Sequence, residues 1–250
     1  MNEQQPQTHD EDFSSWRDKW LRLARFNGNH VPNPPEKMES IIALWKQSLQ
    51  KNWHRKTMPK RLCDKCPHYS RGNHNGKRKP EHEIEFELFA IQKTNKIQFE
   101  KRDFFVLANA YPLAHGKHVE ADVVAVACGV AGIEIYVVEA KHNANNPWHA
   151  LIQNLCQLKL FQENLEWNWE FLKKTFSEFL LMKGVSKSFL ETTPPVRGMV
   201  LAPPVYYTKR GQKSNAVQPA QELVNRVASE LNVQVLLTKW QEGQTIIEPI

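Results

Sequence analysis

Two β-branched runs set the strongest constraint on this chain. Residues 119–127 (VEADVVAVA) and 133–141 (IEIYVVEAK) are separated only by residues 128–132 (CGVAG). Val and Ile pack well on a pleated surface and lose freedom in a helix. Gly129 and Gly132 supply the backbone latitude of a tight turn. The pair therefore reads as a β-hairpin.

The segments on either side of this hairpin are patterned too. Residues 81–96 (EHEIEFELFAIQKTNK) read as a helix, and 104–111 (FFVLANAY) as a strand. Asn146-Pro147 opens a helix to about Asn164, with Asn as cap and Pro in its first turn. A second helix runs from about Glu166 to Lys183 and ends at Gly184. Residues 196–207 read as a strand, 220–231 as a helix and 233–240 as a last strand. Helices before and after the hairpin imply a mixed sheet inside a three-layer α/β domain.

The N-terminal third is organised differently. Residues 1–12 are polar and acidic and read as a disordered tail. Phe13, Trp16, Trp20 and Leu23 recur at helical spacing, as do Met38, Ile41, Ile42, Trp45 and Leu49. They make a helical arm over 13–56, rich in Trp, that either docks a partner or second copy or covers the core. Residues 57–80 read as a basic Cys/His loop, and 81–250 as the main domain.

Charge is concentrated rather than spread. Residues 51–80 hold ten Lys or Arg against one acid, Asp64, whereas the 250-residue chain carries +6 in all. Such a patch is the electrostatic footprint of a polyanion, and Trp53, His54 and Tyr69 are interleaved for stacking on bases. No secretory signal is read at the start, and no apolar run reaches the roughly 20 residues of a membrane helix. Four cysteines do not suggest a disulfide framework, and the expected location is the cytoplasm. No Walker P-loop, dinucleotide fingerprint or H-E-x-x-H is present.

The hairpin carries the chemistry. Asp122 sits inside the first run, and Glu139 and Lys141 close the second. Side chains alternate, so Glu139 and Lys141 share a face about 6.6 Å apart. If the runs pair, Asp122 and Glu139 converge. Two carboxylates on rigid strands suit Mg²⁺, which can polarise a phosphoryl oxygen and activate a water. Lys141 can orient that water. A plain surface ion pair between Glu139 and Lys141 is the competing interpretation.

An acid on one strand followed by (D/E)-x-K closing the next resembles the PD-(D/E)XK, or restriction-endonuclease-like, nuclease superfamily. The matching residues are Asp122 and Glu139-Ala140-Lys141, sixteen residues lying between Asp122 and Glu139. Gln157-Leu-Lys-Leu-Phe161 is similar to the Q-x-x-x-Y motif of the RecB-like and Cas4-like branch, with Phe in place of Tyr. Gln153 stands one turn earlier on that face. The Pro of the family motif is replaced by Ala121. The resemblance covers about residues 81–165 and implies a three-layer core with a mixed central sheet flanked by helices. It also implies a helix carboxylate, Glu85 ahead of Glu87; Mg²⁺ or Mn²⁺ held by Glu85, Asp122 and Glu139; and Lys141 and Gln157 assisting.

Cys63-x₂-Cys66, with His68 and His74, either holds a structural Zn²⁺ or is two free thiols with incidental histidines. Cys128 and Cys156 read as core thiols. His142, Lys209, Arg210 and Lys213 either touch phosphate or are solvated. Trp167 and Trp169 read as core or partner contacts.

The expectation is a metal-dependent DNA nuclease, an endonuclease in mode, serving defence, restriction or recombination. RNA is also compatible as substrate. The alternatives are a catalytically inactive nucleic-acid-binding module and a subunit of a larger nucleic-acid-processing complex.

Overall fold

The hairpin forms about a turn at Val130-Ala131, with Gly132 at φ +130°. Its strands, β3 (Glu120–Gly129) and β4 (Gly132–Ala140), pair antiparallel from Gly129↔Gly132 to Val123↔Val138. The computed structural model describes residues 8–25, 34–49, 83–114, 119–142, 146–207 and 216–250. The other described elements are α1 (Thr8–Ala24), α2 (Pro34–Lys46), α3 (Glu83–Thr94), β1 (Ile97–Phe99), β2 (Arg102–Pro112), α4 (Pro147–Glu163), α5 (Leu165–Met182), α6 (Lys187–Leu190), β5 (Val196–Ala202), α7 (Pro204–Tyr207), α8 (Val217–Leu231), β6 (Val235–Lys239) and β7 (Ile246–Pro249).

The sheet corrects the expected architecture. It is mixed and helix-flanked, but it is not the open middle layer of a three-layer, restriction-endonuclease-like core. The seven strands close in the order β1-β2-β3-β4-β5-β6-β7. Closure depends on β7, which pairs antiparallel with β6 and parallel with β1. Neither β1 nor β7 is legible as a strand in the sequence, because three or four residues show no period. Curvature comes from β2, whose register with β3 shifts between Val106 and Ala108 and whose Ala110 takes φ +46°. Bulges of this kind increase local twist and bend a strand. Residues 203–207, which the sequence reads as the end of a strand, instead turn into α7 after Pro203.

Alternation splits the strand residues into two apolar sets. Val123, Ala125, Tyr136 and Val138 pack with Ile84 and Leu88 of α3. Val124, Val126, Ile135 and Val137 pack toward α4, α5 and α8. Gln92 fixes α3 to the β2 bulge: its amide donates to the Val106 carbonyl at 3.0 Å and accepts the Val106 N–H at 2.6 Å.

The two N-terminal helices belong to the second set. Phe13, Trp16, Trp20, Ile41 and Trp45 are buried in it. Trp148 Nε1 of α4 donates to the Leu23 carbonyl at 2.9 Å, and Trp16 Nε1 donates to the Leu44 carbonyl at 3.2 Å. Their Trp-rich face is thus covered by this chain's own core. α1 begins at Thr8, within the stretch expected to be a tail. The basic segment 51–80, with Cys63, Cys66, His68 and His74, lies outside the described residues, as do Lys209, Arg210 and Lys213. Among the described residues no helix is long and apolar enough to cross a membrane.

α4 lies close on the sheet because β5 offers Gly198. A Cβ there would fall 2.3 Å from Asn154 Oδ1 and 3.0 Å from Val235 Cγ2. The Asn154 amide is itself committed, donating to the Val137 carbonyl at 2.8 Å. Gly198→Ala is expected to destabilise the fold by about 1–3 kcal/mol, the usual cost of overpacking, as a lower urea midpoint with unchanged slope. An unchanged midpoint would show that α4 yields freely here.

Candidate active site at the end of the hairpin

Asp122, Glu139 and Lys141 meet where β3 and β4 part. The last recorded pair is Val123↔Val138, so one further step sets Asp122 opposite Glu139. Partners so placed in an antiparallel pair lie roughly 4.5–5.5 Å apart at Cα. The ladder ends here because Asp122 takes over a backbone role: its Oδ2 accepts the Ala140 N–H at 2.8 Å. Beyond it, the Lys141 N–H turns to the Leu201 carbonyl of β5 at 2.9 Å.

Gln157 bridges the split from α4. Its Nε2 donates to the Glu120 carbonyl on β3 at 2.9 Å and to Glu139 Oε2 on β4. Glu139 is 2% exposed, and its other oxygen, Oε1, forms an ion pair with the Lys141 ammonium. Glu85, 3% exposed on α3, completes the group from the opposite sheet face, and its charge reaches Asp122. The helix carboxylate that joins this group is Glu85; Glu87, two residues on, is half-buried.

The electrostatics are those of crowded acids. Burial first, then the charge of Glu139, then that of Glu85, hold the Asp122 carboxyl well above the usual carboxylate range. Lys141 and the Ala140 N–H pull it only part of the way back. Asp122 keeps some residual exposure as a residue, but its carboxyl is enclosed. Three acids against one lysine leave the cluster short of positive charge.

The donor set fits a hard divalent ion: carboxylate oxygens only, on strands and a helix that cannot spread apart. Among the described residues no three His, Cys, Asp or Glu side chains stand in a ready-formed metal-binding group. Both Glu139 oxygens are engaged, by Lys141 and Gln157, and Asp122 Oδ2 by Ala140. An ion would therefore share or displace the Lys141 contact.

Some neighbours are not singled out by the sequence. His149, in the first turn of α4, feels both Lys141 and Glu139. Burial first, then Lys141, lowers its pKa. Its backbone N–H donates to the capping Asn146 Oδ1 at 3.1 Å, and its Nδ1 lies 3.3 Å from the Ala24 carbonyl. Tyr206 of α7 donates to the Asn146 carbonyl at 2.8 Å, so α7 steadies the same helix start. The N-cap Asn146-Pro147, five residues past Lys141, is the one sequence signal that places His149 here. His142, next to Lys141, is half-buried.

The remaining sequence candidates have structural roles. Phe161, the departure from Q-x-x-x-Y, is fully buried with its ring 6.0 Å from that of Tyr111. Trp169 is buried, and Trp167 stacks on Phe171 at 5.8 Å. Cys128 and Cys156 are free thiols; burial pushes Cys128 up to about 12 and raises Cys156 further.

Gln157→Leu is expected to cost about 1–3 kcal/mol, because it leaves the Glu120 carbonyl and Glu139 without their shared donor in a buried place. Chemical denaturation measures this, and a neutral result would mean that water or another side chain replaces the amide.

The chain matches no family model, no curated protein and no solved structure.

Proposed function

We propose that this chain is a Mg²⁺-dependent nuclease that hydrolyses phosphodiester bonds in DNA, with its site at Glu85, Asp122, Glu139 and Lys141. One observation carries the reading: three acids from three elements crowd around a single lysine at the open end of a rigid hairpin. The motif order that resembles the PD-(D/E)XK superfamily supports it, although the closed sheet differs from the open core that resemblance implies. The basic segment 51–80 supports a polyanionic substrate.

Glu85, Asp122 and Glu139 would hold the ion, which supplies Lewis-acid polarisation of a phosphoryl oxygen and lowers the pKa of water. Lys141, anchored by its backbone N–H to β5, presents its ammonium to the attacking water or to the charge that develops on phosphorus. Gln157 keeps Glu139 from swinging toward solvent. His149, held neutral by its surroundings, stays within the reach of Lys141's field as a hydrogen-bonding side chain.

A second reading has its own observation: Asp122 and Glu139 are both satisfied within the fold, by Ala140, Lys141 and Gln157. On that reading the chain binds nucleic acid, alone or as a subunit of a larger complex, and does not cut it.

A cleavage panel separates the two. Duplex, single-stranded and branched DNA, and RNA, are incubated with Mg²⁺ or Mn²⁺, alongside Glu139→Ala. The nuclease reading expects metal-dependent cutting of at least one substrate by the wild-type chain and none by the variant. Binding without cutting under either ion would favour the second reading.

A further inference from the structure

A cavity of about 370 Å³ lies between α1 and α4, directly beside the acidic site. Glu120 and Gln157 form part of its wall, and Cys156 in the same wall feels the charge of Glu139. Its size falls in the range of small-ligand pockets. Much of the remaining lining is apolar, Ile152 and Leu21 among it.

Four polar atoms belonging to lining residues have no hydrogen-bond partner among the described residues: Trp20 Nε1, Arg17 Nε, Gln153 Oε1 and Gln157 Oε1. Trp20 is 1% exposed and Gln157 9%. Buried polar atoms are nearly always hydrogen-bonded, so such a group of exceptions calls for an explanation. Two donors and two acceptors around an apolar space describe the complement of a flat, uncharged ring with both kinds of group on its edge. An anion fits poorly, because Glu120 and two amide oxygens belong to the same wall.

We infer that this cavity receives one unstacked nucleobase of a nucleic-acid strand whose backbone lies at the acidic site. The inference rests on the nuclease reading for its orientation, not for the cavity. Gln157 joins the two places, since its Nε2 holds Glu139 while its Oε1 is left for the base. A base that occupies the cavity has left its stack, at a cost smallest in single strands and frayed ends. The substrate class is therefore single-stranded or locally unpaired.

The test uses the full chain with single-stranded oligonucleotides carrying one abasic nucleotide at successive positions, and reads cleavage in Mg²⁺. Loss of one base near the cut should slow cleavage by about tenfold, the scale of losing one base contact, while other positions change little. Cys156→Phe, which fills the cavity, should erase that position dependence. Trp20→Phe, which removes the N–H and keeps a ring, should reduce it. In parallel, deoxynucleosides alone are titrated by tryptophan fluorescence, with binding expected for the wild type and lost in Cys156→Phe. Circular dichroism melts confirm that each variant is folded, and Trp20→Phe serves if Cys156→Phe is not. Cutting with a flat abasic scan overturns the cavity assignment and leaves the nuclease reading standing. Nucleoside binding that the cavity variant abolishes, without any cutting, overturns the nuclease reading alone. Neither cutting nor nucleoside binding overturns both.

Discussion

Lys141→Ala is expected to lower Mg²⁺-dependent DNA cleavage by at least about a hundred- to a thousandfold, the range seen when one transition-state donor is removed. The physical reason lies in what Lys141 touches. Its ammonium is the internal cation of a site with three carboxylates, paired with Glu139 and felt by Asp122. Removing it takes away the group that can face the attacking water. It also makes the acids more crowded, so the need for a divalent ion grows. The signature is a fall in kcat with no rise in the Mg²⁺ concentration at half-activity. Without metal the variant should melt lower, by about 1–3 kcal/mol of stability, because a buried acid has lost a charged partner. Added Mg²⁺ should recover that loss. A purely structural ion pair predicts the opposite pattern: a stability defect that Mg²⁺ does not repair. Cleavage by the folded variant at the wild-type rate would remove Lys141 from the mechanism.

The second large effect is a gain of stability on removing an acid. In the folded chain Asp122 has its pKa raised, by burial first and then by Glu139 and Glu85. The folded state therefore holds its proton more tightly than the unfolded chain, whose value is about 3.9. Below that value both states are protonated and the position contributes nothing adverse. As pH rises toward the raised folded value, unfolding releases a proton that folding retains, and stability falls. Asp122→Asn keeps an oxygen for the Ala140 N–H and cannot ionise. In EDTA at pH 8 it should be more stable than the wild type, on the order of 1–2 kcal/mol. The two melting curves should converge near pH 4. Mg²⁺ should stabilise the wild type in proportion to its occupancy and leave Asp122→Asn nearly unmoved. A variant less stable than the wild type at pH 8 would mean that the Asp122 charge is compensated.

Much of the site is legible in the sequence because antiparallel pairing has a fixed arithmetic. Once residues 128–132 are read as the turn, Asp122 must fall opposite Glu139. The cap at Asn146-Pro147 likewise sets α4 in place, and helical spacing puts Gln153 and Gln157 on one face. That Gln157 reaches Glu139 follows only from motif resemblance, since nothing in its local sequence names a partner. His149 escapes notice because a lone His in a helix's first turn has no periodic signature.

The closed sheet is not legible. It depends on β1 and β7, each too short for alternation to show, and on a β2 whose bend lies in the backbone at Val106–Ala110. An apolar strand reads the same in an open sheet and a closed one. The PPVYY of residues 203–207 looks like strand for its aromatic and β-branched content, but two consecutive prolines end β5, and Pro204 begins a helical turn. Counting charge makes the N-terminal tail too long: THDED (8–12) is polar, yet it continues into the helix that Phe13, Trp16 and Trp20 anchor.

Binding of Mn²⁺ followed by electron paramagnetic resonance tests the central claim most directly. The spectrum of free Mn²⁺ disappears as the ion binds, so occupancy is counted without any assumption about substrate. The wild-type chain should take up Mn²⁺ at a saturable site that Mg²⁺ displaces, and Asp122→Asn and Glu139→Gln should each lose it. Undiminished uptake in both variants, or none in the wild type, would contradict the assignment of these acids to a metal.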